Sequence, residues 1–346
     1  MMKTYLALLL IACSSSVALA QGNWDKTPYQ TKSLANDAIK DVFVNTSGGS
    51  ISVSGAAGES ARIEIYVRGN NNQELSKEEI QKRLDKDYDL QVTVNNHEVH
   101  AVAKRKKNFN IDWKRPLSIS FKIYVPREVA THLNTSGGSI HLDNLIGAQE
   151  FSTSGGSLHM DNLAGRIKGE TSGGSIQVNN SKDIIDLETS GGSINAKNCQ
   201  GKIRLETSGG SLHLEALEGS ITANTSGGSI QANNIKGELV TGTSGGSVNL
   251  SAMACSLNAS TSGGSMHVDM RQLGKYVKLD VSGGHVDLTL PANQGMNLNL
   301  SASKIRSSNV SKFTGEWEKD HVKGTLNGGG IPVSVEASDN LNIVFN

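Results

Sequence analysis

The sequence has few aromatic residues and no excess of charge of either sign. Aromatic residues make up 4% of the 346 residues, whereas glycine occurs 38 times. This balance favours short strands joined by tight turns over helices packed around large rings. The 33 basic and 33 acidic residues cancel, so the overall charge does not point to nucleic acid, and we expect no nucleic-acid partner.

Long hydrophobic runs are also scarce, and none is long enough to cross a bilayer. The apolar run over residues 5–12 follows Lys3 and precedes an A-L-A sequence, Ala18–Ala20, which has the form of a cleavage site before Gln21. We therefore expect residues 1–20 to be a signal peptide for export.

The same segment also allows a lipoprotein signal. Leu10–Cys13 resembles the lipobox of bacterial lipoproteins, with Ser14–Ser16 as a tether, and would leave Cys13 lipidated. That signal would be only twelve residues long with one basic residue. We therefore prefer a soluble exported protein, in the periplasm or at the cell surface, over a lipoprotein anchored at Cys13.

One repeat dominates the rest of the chain. Eight copies of T-S-G-G-S recur with a constant 18-residue period, a ninth begins at Thr46, and a degraded copy, V-S-G-G-H, begins at Val281. A period of this length predicts a solenoid, in which each unit forms one coil and buries its apolar face only against its neighbours. The eight regular copies begin at Thr135, Thr153, Thr171, Thr189, Thr207, Thr225, Thr243 and Thr261.

Within each unit, positions are counted from the threonine. Positions +5 and +7 are apolar throughout, +14 is again apolar, and +16 is mostly small or apolar. This alternation predicts two short strands per coil, near +4 to +8 and near +13 to +18, with these columns facing inward. S-G-G would turn one corner, and Asn at +9 with Gly at +12 the other, because both residues tolerate left-handed backbone conformations.

Two other solenoids with an 18-residue coil do not fit the pattern. A calcium-binding roll needs a second glycine motif half a coil further on, which is missing. A left-handed hexapeptide helix needs an apolar residue at +11, where this chain has Lys182, Gln200, Glu218 and Lys236. We therefore predict an all-β fold, a right-handed parallel β-helix (β-solenoid) with 18-residue, two-strand coils.

The segments outside the repeat are expected to form end caps, which solenoids need to protect exposed strand edges. A β-rich N-terminal excursion should carry one short helix over residues 76–86, with Ser76 and Glu79 as its capping box. Residues 327–331 and 341–345 should form the last, irregular coils. The predicted parts are the signal peptide 1–20, the first coil and N-terminal cap 21–134, the regular solenoid 135–291, and the C-terminal coils and cap 292–346.

Two cysteines remain after the signal, Cys199 and Cys255. They lie three coils apart, about 14 Å at the usual strand spacing, whereas a disulfide needs Cα atoms within about 7 Å. We expect both to be buried, inert thiols.

The S-G-G-S-I-x-L block, the corner glycine and the export signal together resemble the toast-rack family of exported bacterial proteins, which are described as adhesins of unknown function. The resemblance covers about residues 35–346. It implies a β-solenoid fold and an exported location. It brings no catalytic motif, cofactor or partner, and we expect no cofactor.

The outward column at +6 offers the main metal-binding candidates. Four of its members are histidines that form H-x-[DE] pairs with position +8. His141, Asp143, His159 and Asp161 belong to adjacent coils and could reach one ion. The competing interpretation, which we prefer, is a solvated ladder of stacked polar side chains without a metal.

A basic run offers the main binding candidate. In an exported protein its targets would be anionic lipid head groups or envelope polymers. An exposed loop without a ligand is the simpler interpretation. The candidate residues are Lys104, Arg105, Lys106, Lys107, Trp113, Lys114 and Arg115.

No catalytic cluster stands out from the repeat. Gly242–Gly246 matches the hydrolase elbow G-x-S-x-G but is one copy of the structural motif. We expect a non-enzymatic, adhesin-like or scaffolding surface of the bacterial cell envelope, and its partner is left open between an envelope polymer, lipid head groups and another surface protein. A binding module for an anionic envelope component is the alternative, and a glycan-processing enzyme is a weaker one.

Overall fold

The chain folds as a stack of parallel coils, and each coil contributes one strand to each of two ladders. Between Ile140 and Thr243, a strand of four residues alternates with a strand of eight residues. We call the ladder of eight-residue strands the long ladder and the ladder of four-residue strands the short ladder. The computed structural model describes residues 27–55, 60–69, 74–106, 116–308 and 310–346.

The described elements of the N-terminal part precede the regular copies of the repeat. They are β1 (Gln30–Ser33), β2 (Asp41–Thr46), β3 (Ile51–Gly55), β4 (Arg62–Gly69), α1 (Lys77–Asp87), β5 (Tyr88–Asn95), β6 (Glu98–Arg105) and β7 (Leu117–Val125).

The regular coils come next in the chain. In the long ladder lie β8 (Ala130–Thr135), β10 (Ile146–Thr153), β12 (Ala164–Thr171), β14 (Lys182–Thr189), β16 (Gln200–Thr207), β18 (Glu218–Thr225) and β20 (Lys236–Thr243). In the short ladder lie β9 (Ile140–Asp143), β11 (Leu158–Asp161), β13 (Ile176–Asn179), β15 (Ile194–Lys197), β17 (Leu212–Glu215) and β19 (Ile230–Asn233).

The two longest strands, β21 (Val248–Thr261) and β22 (Met266–Val281), bend from the short ladder into the long ladder. The C-terminal elements follow them. They are β23 (Val286–Leu290), β24 (Met296–Ser301), β25 (Lys304–Ser308), β26 (Phe313–Trp317), β27 (His321–Leu326), β28 (Ile331–Ala337) and β29 (Asn340–Phe345).

The columns predicted to face inward form the core. Ile194 and Ala196 of β15, with Ile203 and Leu205 of β16, are each at most 2% exposed. Neighbouring coils pair in register with the period of the motif, so that like residues stack on like throughout the block. Burying an aliphatic side chain contributes about 1.5–3 kcal/mol, and the repeat places several such side chains in every coil. The predicted all-β solenoid is confirmed.

The long-ladder strands begin earlier than the sequence suggested, at +11 rather than +13. Gln200 and Gly201 already pair with Glu218 and Gly219 of the next coil. The corner expected to have a left-handed backbone conformation lies just before the start of this strand. Asn198 has a φ of 53°, and where one coil lacks asparagine, Ala216 adopts the same φ of 53°.

The threonine hydroxyl of each motif links consecutive coils. Thr189 Oγ1 donates to the carbonyl oxygen of Gly174 in the preceding coil at 2.8 Å and accepts from the backbone N–H of Gly192 in its own turn at 3.2 Å. Both bonds recur in every coil from Thr153 to Thr261. Each hydroxyl therefore satisfies two backbone groups at a buried corner.

The two glycines of the motif have different roles. A Cβ at Gly192 would lie 2.1 Å from the carbonyl oxygen of Gly174, which no side chain can tolerate. A Cβ at Gly191 would lie 3.5 Å from its nearest neighbour, the carbonyl oxygen of Ser172, an ordinary contact. The second glycine is thus required by the close approach of consecutive turns.

This difference predicts opposite outcomes for two adjacent substitutions. Gly192→Ala should force the turns apart and lower the free energy of unfolding by about 1–3 kcal/mol or more. Gly191→Ala should be neutral or slightly stabilising, because alanine reduces the entropy of the unfolded chain. Thermal unfolding followed by circular dichroism compares the two, and equal losses of stability would contradict the steric argument.

The order of the coils in space differs from their order in the chain. At the N-terminal end, β2 pairs with both β6 and β8, and β3 pairs with both β7 and β9, all in parallel. The first coil of the chain therefore lies second in the stack, beneath an end coil formed by β6 and β7. β5 and β4 extend the two ladders antiparallel beyond that end coil.

The C-terminal end is built the same way. β28 pairs with β22 and β24, and β29 pairs with β23 and β25. Of the two segments expected to form the last irregular coils, residues 341–345 lie in β29, the last strand along the described chain, whereas residues 327–330 precede the strand that was expected there. The strand here begins at Ile331, and its coil lies beneath β24 and β25, because the hydrophobic alternation of 296–308 forms the outer coil instead.

The helix α1 begins one residue after the predicted start. Ser76 is its N-cap, and the Ser76 side chain accepts from the backbone N–H of Glu79 at 3.3 Å. Ile80 and Leu84 are buried in the common core. The helix therefore packs its apolar face against the N-terminal end of the solenoid.

Among the described residues, no helix has the length and apolar character needed to cross a membrane.

Candidate functional site

Three stacked rings mark the outward face of the long ladder near its N-terminal end. The Phe43 ring lies between His100 and His132, with centroids 4.6 and 4.7 Å apart and interplanar angles of 5° and 9°. The three residues are direct partners on adjacent strands. Because strands are spaced about 4.8 Å apart, the ladder itself holds the rings at stacking distance.

The stack lines an open groove of about 470 Å³, within the size range of ligand sites. Val102 adds apolar surface, and Lys104 and Glu150 add opposite charges. His132 Nδ1 lies 3.6 Å from Glu150 Oε2. The groove therefore combines apolar ring edges with hydrogen-bond donors and acceptors, all carried on strands rather than on loops.

Charges of alternating sign continue from the groove along the same column. Glu150, Lys168, Asp186 and Arg204 are successive cross-strand partners. Arg204 bonds to Asp186 Oδ1 at 2.8 Å and lies 2.5 Å from Glu206 Oε2, and these carboxylates raise the pKa of Arg204. The pairs are exposed, so each adds little stability, but together they neutralise this face.

The three described members of the predicted basic run have different surroundings, and the run as a binding site stays a prediction. Among the described members, Lys104 lies in the groove. Arg105 points away from it, with its Nε donating to the Tyr88 hydroxyl at 3.2 Å. Lys106 Nζ donates to the carbonyl oxygen of Asp85 near the end of α1 at 2.6 Å. The other candidates, Lys107, Trp113, Lys114 and Arg115, lie outside the described residues.

The predicted quartet on the short ladder forms a stack. The rings of His141 and His159 are 4.6 Å apart and only 9° from parallel. Their in-plane lone pairs therefore run side by side and do not converge on one point. Asp143 accepts from Ser54 Oγ at 2.8 Å, and Asp161 accepts from Asn180 Nδ2 at 2.7 Å. The geometry thus favours the polar ladder, and metal binding by this quartet stays an untested prediction.

His141 is the most perturbed histidine of the stack. Burial, together with the neighbouring His159, lowers its pKa to about 4, and the opposing effect of Asp143 is smaller. Its Nδ1 is buried and has no hydrogen-bond partner among the described residues. The neutral imidazole is therefore the form that fits this position.

The low pKa of His141 predicts a loss of stability in mild acid. Between an unfolded pKa near 6.5 and a folded pKa of about 4, the unfolded chain binds the extra proton. The free energy of unfolding should fall by about 1–3 kcal/mol as pH drops through this window and then level off. His141→Gln, which copies Gln177 of the same column, should remove this part of the pH dependence.

Urea unfolding at about pH 7 and about pH 4.5 compares the variant with the parent protein. A nuclear magnetic resonance titration that placed the His141 midpoint near its ordinary value would contradict the argument.

Both cysteines of the described chain are free and buried. Burial raises the pKa of Cys255 to about 12 and also raises the pKa of Cys199. Thiolates are therefore scarce at neutral pH, and the thiols have the properties of structural residues.

One other group in the described chain brings three metal-binding side chains together. His267, His285 and Asp287 each offer a ligand atom, and these atoms lie within 4.8 Å of one another. The sequence pattern contained a signal for this group, because V-S-G-G-H places a histidine where the regular motif has serine. Pairing His267 with residue +6 of that degraded copy would have identified Asp287.

The ring stack was also not predicted, because it depends on which strands are neighbours in space. Phe43 and His132 both lie three residues before the threonine of a motif, so their proximity could have been predicted from the repeat. His100 belongs to no copy of the motif. It reaches the stack only because β6 is laid beside β2 as an end coil.

Residues 222–343 match the family model described as Toastrack DUF4097. The chain carries a Toastrack domain. The match is shorter than the resemblance expected over residues 35–346 and falls in the C-terminal part of the solenoid. The Toastrack domain therefore contains the group at His285, whereas the groove around Phe43 lies outside it.

A crystal structure of a "putative cell adhesion protein" from Clostridium sporogenes ATCC 15579 aligns over 92% of this chain and 98% of its own, with 13% identity and a TM-score of 0.23. Values this low do not transfer a function to the Toastrack domain or to the rest of the chain. A search of curated proteins found no match.

Proposed function

We propose that this chain is a non-enzymatic, exported β-solenoid of the bacterial cell envelope that acts as an adhesin-like surface. Its binding site is the groove around Phe43, and its ligand is an envelope polymer with both apolar and polar faces, such as a glycan strand. The observation that carries the proposal is the ring stack of His100, Phe43 and His132 on the outward face of the long ladder.

The stack is suited to binding because it is already ordered. Each ring is held by its strand and by its neighbours, so binding costs little side-chain entropy. The phenyl edge of Phe43 offers apolar contact, whereas the imidazoles, Lys104 and Glu150 offer hydrogen bonds to hydroxyl or carboxylate groups. A polymer lying along the solenoid axis would meet a new row of side chains about every 4.8 Å.

The ring stack predicts a specific loss of binding. Phe43→Ala should weaken binding to the recognised polymer by roughly 30-fold, the effect of removing an aromatic anchor of about 2 kcal/mol. Val240→Ala is the matched control, because Val240 occupies the same outward column in β20, far from the groove. Biolayer interferometry against a panel of purified envelope polysaccharides and peptidoglycan fragments measures both variants.

Three results would count against the proposal. Binding to none of the polymers would remove the adhesin-like role, and equal affinities of the two variants would place binding elsewhere. Turnover of the polymers, detected as new reducing ends after long incubation, would support the glycan-processing alternative.

A binding module for an anionic component is the second candidate, and the position of Lys104 in the groove supports it. Charge-driven binding weakens steeply as salt rises, whereas binding through ring edges does not. Lys104→Ser should then reduce binding to anionic liposomes more than Lys278→Ser, a change in the same ladder outside the groove.

Export is part of the proposal, and the mature N-terminus tests it. Cleavage after Ala20 gives a chain that begins at Gln21, whereas a lipoprotein begins at a diacylglyceryl-modified Cys13. Both positions lie outside the described residues. Intact-mass analysis of protein from the native envelope should find the Gln21 form, and a lipidated Cys13 would replace the soluble assignment with an anchored one.

A further inference from the structure

We propose that His267, His285 and Asp287 form a binding site for a divalent transition-metal ion, with Zn²⁺ as the fitting probe. His267 of β22 and Asp287 of β23 lie on the outward face of the short ladder, and His285 lies in the turn immediately before β23. Two imidazoles with one carboxylate are a donor set that Zn²⁺, Cu²⁺ and Ni²⁺ favour over Mg²⁺ or Ca²⁺.

The donor atoms face one another closely. His267 Nδ1 lies 2.8 Å from Asp287 Oδ2, and His285 Nε2 lies 3.5 Å from the same oxygen. The two imidazole rings are 76° apart in orientation, with centroids separated by 5.4 Å. Unlike parallel rings, rings at this angle can direct their in-plane lone pairs toward one point.

Each ligand except His267 has a neighbour that orients it. Asn342 Nδ2 donates to Asp287 Oδ1 at 2.7 Å, which leaves Oδ2 toward the histidines. Ser265 Oγ lies 2.9 Å from His285 Nδ1. When Nδ1 carries the proton and donates to this hydroxyl, the Nε2 lone pair is free for an ion. Such partners typically raise metal affinity by about 10–100-fold.

The site arises where the repeat is broken. In three of the regular coils, the serine at +4 accepts from the backbone N–H of the serine in the next coil, as Ser193 does from Ser211. His285 replaces the serine at this position, and its ring takes over the bond to Ser265. The coil that begins at Thr261 is longer than the regular repeat, since the next copy begins only at Val281, and the register still sets Asp287 opposite His267.

The side chains are accessible to an ion. Between 40% and 48% of each is exposed, so an ion can enter from solvent and keep water in its remaining positions. The existing His267–Asp287 contact uses the atoms that would ligate the metal, so a proton on His267 Nδ1 has to move to Nε2 or to solvent before Nδ1 can bind the ion. We expect one Zn²⁺ per chain with an affinity in the micromolar range.

Isothermal titration calorimetry of the full mature chain without a histidine tag, titrated with zinc chloride at neutral pH, tests the site. His285→Ser restores the residue of the regular motif, so it should fold normally, and it should weaken binding at least tenfold. Asp287→Asn should do the same. Ser265→Ala should weaken binding by about tenfold, through loss of the partner that orients His285.

His159→Gln is the control, because His159 belongs to the stacked pair and Gln already occupies this column at Gln177. It should leave binding unchanged. Absence of saturable binding by about 1 mM zinc, equal affinity of His285→Ser and the parent chain, or loss of binding in His159→Gln would each overturn the assignment. Absorption of bound Co²⁺ provides a second readout of the same variants.

Discussion

The close approach of consecutive S-G-G turns is the constraint on which the rest of the structure depends. The turns touch backbone to backbone, and the threonine hydroxyl bridges them at every step, as Thr189 does between Gly174 and Gly192. This contact fixes both the distance between coils and their register. Once the register is fixed, each inward side chain meets its equivalent above and below, and the core of the whole solenoid follows from the packing of one coil.

The same register determines which side chains are neighbours on the outer surface. A side chain on an outward column always has neighbours about 4.8 Å away on both sides, so its properties depend on those neighbours. Burial and a stacked imidazole, as His159 is for His141, lower the tendency of a histidine in this column to become charged. Alternating charges, as at Asp186 and Arg204, cancel. Distinct chemistry therefore appears mainly where a column changes its residue type or where a coil departs from the repeat.

The regular parts of the fold could be predicted from the sequence, whereas most of the places that depart from the repeat could not. The inward columns, both corners and the helix capped by Ser76 could be predicted, because each rests on local pattern within one coil or one turn. The stack of Phe43 with His100 could not, because it depends on which strand becomes the neighbour of β2. The group of His267, His285 and Asp287 could be recognised only from the departure of V-S-G-G-H from the regular motif. Its three members come from two coils whose spacing differs from the regular period.

The inserted coils at the two ends have a consequence for the order of assembly. The regular coils can add one by one as the chain leaves the ribosome, since each needs only its predecessor. The pair β28 and β29 is different, because it must enter between β22–β23 and β24–β25, which are made earlier. Until β28 and β29 have been made, the strand edges that they join stay unpaired. These two strands therefore close this end of the stack, and a chain truncated before Ile331 would expose open strand edges suited to association with other copies.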